Sequence, residues 1–186
     1  SLSSLRRLES GLCALYPHIR RQRERLFLAV FLIDELRPEA AVQHSAGLKL
    51  RQLLDSGELA SPEAAVGFVG ANDSTEVLSG LTAFLLGVRS VVPEATMRVR
   101  FTGSWSNYAV EKEQTRELID EGCVIIAQHV NTAAAANACE EAAEAGRTVF
   151  HVGYHQSMMD VAPSSALVSI RTNWIPYILQ AVEAVK

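Results

Sequence analysis

Cysteine is scarce in this chain, and its spacing excludes two classes of small protein. Three cysteines occur among 186 residues, with no CxxC pair and no cysteine and histidine at zinc-ligand spacing. The sequence therefore predicts neither a disulfide framework nor a structural zinc site. Cys123 opens an apolar run and Cys139 lies among alanines, so we expect both to be small buried hydrophobic residues.

An excess of basic charge and a long apolar segment are also missing. The formal net charge is −4 at pH 7, whereas binding to nucleic acid requires a concentrated basic field. The one dense basic run, residues 20–25, is predicted to be a solvated helix face. The apolar run of residues 26–33 is shorter than the roughly 20 residues that cross a bilayer. The opening SLSSLRRLES lacks the pattern of a signal peptide.

From about residue 65 onward, short β-rich runs alternate with segments of helical period. Such alternation is typical of βαβ units that build a parallel sheet. The predicted strands span 66–70, 97–101, 123–127, 148–152 and 166–170, and the predicted helices span 74–92, 108–121, 133–145 and 173–185. The most apolar strand, 123–127, is predicted to be central, and the alternating strand 97–101 is predicted to lie nearer the edge. The fold class is therefore α/β, an open and mainly parallel sheet with helices on both faces.

The first sixty residues contain no complete βαβ unit. Residues 1–60 are predicted to be a mostly helical segment, in which residues 43–56 form an amphipathic helix closed by Gly57. Residues 61–186 are predicted to be the ligand-binding α/β lobe. Two interpretations of the first segment stay open, a helical cap on the sheet or the remnant of another lobe.

A polar, aromatic or glycine-bearing loop follows each predicted strand. These loops are GANDST, TGSWSNY, QHVNT, GYHQSMMD and RTNW. Because ligands of open α/β sheets bind outside the carboxyl ends of the strands, we expect the loops to form one binding site. Trp105 stands out, since a tryptophan on a small polar loop has little core to fill and suits stacking on a planar ligand. The alternative is a surface tryptophan packed on a neighbouring loop.

Catalytic and metal-binding motifs are weak in this sequence. GFVGAND lacks both GxGxxG and GxxxxGK[ST], and is predicted to be a tight turn from strand to helix. His129 and His155 stand at strand ends without an acidic partner at ligand spacing, which favours polar contacts in a pocket over a metal site. Ser104 lacks the GxSxG elbow of a hydrolase. We expect no catalysis, metal or cofactor, and the alternative is a hydrolase or transferase that uses His129 or His155 as a base.

Taken in order, the same loops resemble the basic membrane protein family of ABC-transporter substrate-binding proteins, many of which bind purine nucleosides or bases. The resemblance covers about 120 residues, from VGFVGAND through TGSWSNYAVEKEQTRELIDEGCVIIAQHVNT to VFHVGYHQSMMDVAP and LVSIRTNWIPYI. It implies a lobe of the type I periplasmic-binding-protein fold. Members have two such lobes, and this chain resembles the second lobe together with the helix that leads into it.

The loops and the resemblance together predict the ligand-binding residues. These are Ser104, Trp105, His129, Asn131, Thr132, Tyr154, His155, Arg171 and Trp174. Trp105 matches the family's aromatic residue that lies against the ring of the ligand, Trp174 matches a recurring aromatic residue, and Arg171 falls near a basic position. His155 and Ser157 stand where many relatives have aspartates, one of which commonly holds ribose hydroxyls. This departure leaves a base or another planar polar molecule open alongside a nucleoside.

The predicted function is that of a non-enzymatic solute-binding protein that recognises a purine-like ligand and passes it to an ABC permease at the membrane. The resemblance implies an extracytoplasmic, membrane-associated lipoprotein, whereas a gene without a signal peptide would place the protein in the cytoplasm. An intracellular ligand-sensing regulator on the same fold is the alternative from another class. Oligomerisation is left open.

Overall fold

The computed structural model describes residues 43–60, 64–170, 173 and 175–185. They belong to one unit of the chain, Pro38–Lys186. Most of the segment predicted to be helical, residues 1–60, lies outside the described residues, as do Arg171 and Trp174. Within the described part of the chain, no helix combines the length and the hydropathy that a membrane span requires.

Strands and helices alternate along the described residues. The helices are α1 (residues 43–55), α2 (Thr75–Arg89), α3 (Tyr108–Asp120), α4 (Ala134–Glu144) and α5 (Ile175–Val185). The strands are β1 (Ala65–Gly70), β2 (Thr96–Phe101), β3 (Ile125–His129), β4 (Phe150–Gly153) and β5 (Ala166–Ser169). All five pair in parallel in one sheet of order β2-β1-β3-β4-β5. The predicted α/β class with a parallel sheet is confirmed.

Strand β3 lies at the centre of the sheet and β2 at its edge, as their sequences predict. Every residue of β1 and β3 is buried, as expected for parallel strands covered on both faces, whereas β2 is half exposed. β3 begins at Ile125, two residues later than predicted, because the amide of Cys123 still bonds to the carbonyl of Leu118 at the end of α3. Gln128 and His129 consequently belong to the strand and not to the loop after it.

Different helices cover the two faces of the sheet. A Cβ on Gly67 of β1 would meet Leu118 of α3, which places α3 over that face. The ring of Phe68 points to the opposite face, where its centroid lies 6.2 Å from that of Phe84 on α2. Helix α1 packs beside α2, and α4 packs beside α3. The prediction of helices on both faces is confirmed.

Small residues end two helices and fill part of the core. Gly122 and Gly146 follow α3 and α4 with φ angles of +89° and +84°, a conformation that glycine adopts without strain. Cys123 and Cys139 are buried free thiols. Burial raises the pKa of Cys123 to about 11 and also raises the pKa of Cys139. Both behave as the small core residues that the sequence predicts.

Candidate functional site

The order of the strands creates a crevice at one edge of the sheet. β2 lies on one side of β1, and β3, β4 and β5 follow on the other side. Such a reversal opens a crevice at the carboxyl ends of the strands, where ligands bind. The amide of Asn131 donates to the carbonyl of Trp105 at 2.8 Å, and the amide of Ala71 donates to that of His129 at 3.1 Å. The loops after β1, β2 and β3 are therefore tied together around the crevice.

His129 ends β3, and its side chain is only 8% exposed. Its ring faces α2, where Gly80 leaves room for it, since a Cβ at that position would lie 2.7 Å from Nδ1 of His129. Nε2 is buried without a hydrogen-bond partner among the described residues. Burial, with a smaller contribution from His155, lowers the pKa of His129 to about 4. The ring is therefore neutral at physiological pH.

Aromatic rings surround His129 and form what we call the aromatic floor: Trp105, His129, Tyr154 and His155. The ring centroids of Trp105 and His129 lie 5.7 Å apart at an interplanar angle of 66°. The ring centroid of Tyr154 lies 4.2 Å from that of His129 and 3.7 Å from that of His155. Such rings offer apolar faces and polar edges, which suit a flat ligand with a polar rim.

Trp105 makes more core contacts than the sequence predicts. Its indole is half-buried and packs against the hydrophobic core, because the bond between its carbonyl and the amide of Asn131 draws the loop inward. The expectation that Trp105 has little core to fill was wrong in this respect. The indole nevertheless keeps part of its surface exposed beside His129.

An acidic side chain lies beside His129, contrary to the expectation from the sequence. Oε1 of Glu76, in the first turn of α2, lies 3.9 Å from Nε2 of His129. Burial lowers the pKa of His155, and the charge of Glu76 opposes that shift. Glu76 and Gly80 lie four residues apart, hence on one side of α2. The two partners lie in different βα units, so no local spacing in the sequence reveals the pair.

A buried carboxylate supports the loops from the other face of the sheet. Glu111 of α3 is fully buried and accepts hydrogen bonds from the amide of Asn107, at 2.9 Å, and from the hydroxyl of Thr132. The hydroxyl of Thr132 also accepts from the amide of Ala134 at 3.1 Å. Thr132, predicted to bind the ligand, thus uses its hydroxyl to hold the turn into α4. Glu111 is a residue of the site region that sequence reasoning missed.

The other predicted site residues occupy different parts of the crevice. Ser104 is half-buried, and its hydroxyl accepts from a backbone amide of its own loop at 3.2 Å. Asn131 is exposed at the mouth. His155 is exposed and has a φ angle of +62°, which is uncommon for a residue other than glycine. Arg171 and Trp174 lie outside the described residues.

His155 also borders an open depression of about 560 Å³ beside β5. Its lining residues are His155, Gln156, Ser157, Met159, Ala166, Val168 and Ser169. This volume is within the range of small-molecule sites. The depression does not include Trp105 or His129, so it adjoins the aromatic floor and does not cover it.

The described residues provide few groups for metal or acid–base chemistry. Across residues 43–60, 64–170, 173 and 175–185, no group of three or more histidine, cysteine or acidic side chains could hold a metal ion. The 3.9 Å between Glu76 and His129 exceeds a hydrogen bond. Apart from the carboxylate of Glu76, the side chains named above at the crevice are neutral aromatic and polar groups, which suit binding.

Comparison with known proteins matches the chain to substrate-binding proteins of ABC transporters. A family model described as "ABC transporter substrate-binding protein PnrA-like" matches residues 58–185. A purine-binding protein of Brucella abortus (strain 2308) is 30% identical over 125 residues, which cover 67% of this chain and 34% of that protein. A candidate ABC transporter glucose-binding protein of Haloferax volcanii is 29% identical over 163 residues, with coverage of 80% of this chain and 40% of that protein.

A solved structure shares the fold. The crystal structure of an ABC transporter system solute-binding protein from Aeropyrum pernix K1 superposes with a TM-score of 0.63 at 19% identity. The match covers 79% of this chain and 42% of that protein. This chain thus spans less than half of the length of each of these three proteins.

Proposed function

The chain belongs to the PnrA-like family of ABC-transporter substrate-binding proteins, and from this premise we propose that it binds a purine base or nucleoside on the aromatic floor. Its role is to receive this ligand outside the cytoplasm and to deliver it to an ABC permease, without catalysis. The observation that carries the proposal is the group of four rings, Trp105, His129, Tyr154 and His155, at the reversal of strand order.

The chemistry of the crevice favours a purine over a sugar. One relative is named a purine-binding protein and another a candidate glucose-binding protein, so both ligands need consideration. A sugar presents a ring of hydroxyls, which carboxylates hold well as paired acceptors. By the resemblance to the family, His155 and Ser157 stand where many relatives have aspartates, one of which commonly holds ribose hydroxyls, so this departure favours a purine base over a nucleoside as well as over a sugar. A site that has aromatic rings and lacks the two aspartates at these positions suits a planar base whose few polar atoms lie on its rim.

The test of this proposal is the affinity of a Trp105→Ala variant for adenosine and adenine. Loss of an aromatic stacking partner is expected to weaken binding by about 1 to 3 kcal/mol, measured by calorimetric titration of the full chain. Because Trp105 is half-buried, its removal should also cost some stability, but less than the roughly 3 to 5 kcal/mol of a fully buried aromatic residue. A urea melt of the same variant measures this cost.

Phe150→Ala is the matched control for the loss of a half-buried aromatic side chain. Phe150 begins β4, at the opposite end of the sheet from the crevice, and the ammonium of Lys49 lies 4.3 Å from its ring centroid. This variant should lose stability and keep its affinity for adenosine. Unchanged affinity in a folded Trp105→Ala variant would exclude stacking on Trp105. A thermal-shift screen in which glucose stabilises the protein and purines do not would exclude the purine.

A further inference from the structure

No lysine or arginine among the described residues lies within 4.0 Å of the carboxylate of Glu76, whereas several other glutamates do pair with such cations. Glu117 and Glu121 bond to arginines of β2, and Glu141 bonds to Lys112 and Arg116. Among the described residues, the one basic group within 4.0 Å of Glu76 is the ring of His129. Because burial keeps the ring of His129 neutral at physiological pH, this ring does not neutralise the negative charge of Glu76.

We propose that Glu76 is a specificity-determining residue of the crevice, which selects uncharged ligands that donate hydrogen bonds and rejects anionic ones such as nucleoside phosphates. This inference rests on the proposed function, because it places the ligand on the aromatic floor. It adds a rule about the charge of the ligand to the proposed purine site.

Two observations point from Glu76 to a ligand. Its side chain is 66% exposed, so the carboxylate is free to meet a molecule in the crevice. Nε2 of His129 lies 3.9 Å from Oε1 of Glu76, and it is a buried polar atom with no hydrogen-bond partner in the described part of the chain. An amino or hydroxyl group beside both atoms can bond to each. The amino-bearing edge of a purine base has this chemistry, and a phosphate, which only accepts near neutral pH, does not.

A simpler role for Glu76 is the stabilisation of α2. An acidic residue in the first turn of a helix interacts favourably with the helix dipole wherever its side chain points. That role predicts a loss of stability in Glu76→Gln without a change in ligand preference. The selection rule predicts a change in ligand preference, so the two roles give different results.

The experiment compares neutral and anionic members of two ligand pairs by calorimetric titration at low salt. The pairs are adenosine with adenosine monophosphate and glucose with glucose 6-phosphate. Glu113→Gln is the control, since Glu113 is an exposed residue of α3 on the other face of the sheet and its loss changes the net charge equally. Coulomb repulsion between the exposed carboxylate of Glu76 and a phosphate monoester in the crevice is expected to raise the Kd by about tenfold in total.

We expect the unmodified chain to prefer adenosine over adenosine monophosphate and Glu113→Gln to keep this preference. In Glu76→Gln the preference should fall by about tenfold. Added salt should reduce the ratio of the Kd for adenosine monophosphate to the Kd for adenosine in the unmodified protein, because salt screens exposed charges. Equal binding of the two members of a pair, or an unchanged preference in Glu76→Gln, would overturn the selection rule. Failure of adenosine to bind would instead refute the proposed function, and failure of glucose as well would refute the rule with it.

A measurement without ligand tests the geometry on which the rule depends. The charge of Glu76 raises the pKa of His155, so NMR titration should show a lower pKa for His155 in Glu76→Gln and no shift in Glu113→Gln. If the pKa of His155 is the same in the variant and the unmodified protein, Glu76 does not face the crevice, and the proposal fails whichever ligand binds.

Discussion

Two buried histidines make the stability of the lobe depend on pH. His151, in the interior of β4, is fully buried, and both of its ring nitrogens lack a hydrogen-bond partner among the described residues. Burial lowers its pKa from 6.5 to about 3, and the pKa of His129 falls from 6.5 to about 4. The native protein therefore holds both rings neutral at pH values where an unfolded chain protonates them.

The sign and size of the effect follow from this difference in bound protons. Below pH 6.5 the unfolded chain binds more protons than the native state, so the free energy of unfolding decreases as the pH falls. At pH 5, each histidine held neutral costs about 2 kcal/mol, a value set by the unfolded pKa alone while the native ring stays unprotonated. The two histidines together should remove about 4 kcal/mol between pH 8 and pH 5.

Replacement of His151 by leucine tests this reasoning. Over the same pH range the variant should lose about 2 kcal/mol less than the unmodified protein, since one of the titrating histidines is gone. At pH 8 it should be as stable as the unmodified protein or more so, because the replaced nitrogens had no described partners. Urea unfolding followed by tryptophan fluorescence at pH 8, 7, 6 and 5 gives these free energies.

His44→Leu controls for the substitution itself at an exposed position of α1. Two results would refute the argument. One is a loss below about 1 kcal/mol between pH 8 and pH 5 in the unmodified protein. The other is an identical loss in His151→Leu, which would mean that this ring already finds a charged or hydrated partner in the native state.

Two further substitutions probe the supports of the crevice. Gly80→Ala should displace the ring of His129, because the added Cβ would lie 2.7 Å from Nδ1 of that ring. We expect adenosine binding to weaken about tenfold, although alanine raises helix propensity by about 1 kcal/mol. Calorimetric titration measures this affinity with Ser79→Ala, at a neighbouring exposed position, as the control, and unchanged affinity in Gly80→Ala would contradict the prediction. Glu111→Ala should lower the free energy of unfolding by about 2 to 5 kcal/mol, because it leaves two hydrogen-bond donors unpaired and creates a cavity. In a urea melt, Glu111→Gln should recover much of this loss. Equal stability of the unmodified protein and both variants would contradict the supporting role of Glu111.

The order of elements and their places in the sheet are predictable from the sequence because those signals are local. A strand buried on both faces must be apolar throughout, as β3 is, and a strand at the edge tolerates the arginines of β2. The helix ends at Gly122 and Gly146 follow equally from local conformation. Convergence of the loops at one edge then follows from the parallel arrangement of the strands.

The contacts that shape the candidate site are long-range, and no local pattern contains them. Glu76 meets His129 only because α2 packs over the end of β3, and Gly80 is needed there for the same reason. Glu111 resembles any glutamate of an exposed helix in the sequence, yet it is buried beneath two loops. Thr132 resembles a ligand contact for the opposite reason, since its polar side chain serves the backbone. Whether a polar residue at a strand end faces the ligand or supports the backbone can be decided only when the packing is known.

The position of Glu111 has a consequence for how specificity can change in this lobe. Because the carboxylate holds two loops from below, through the amide of Asn107 and the hydroxyl of Thr132, an exposed side chain of these loops such as Asn131 can be exchanged without remodelling the loops. If the ligand binds as proposed, the residue that supports the loops differs from the residues that contact the ligand, and we expect single substitutions at the surface to change ligand preference while the loops keep their conformation. A library randomised at Ser104, Trp105 and Asn131 over an unchanged Glu111 is a direct route to engineered receptors.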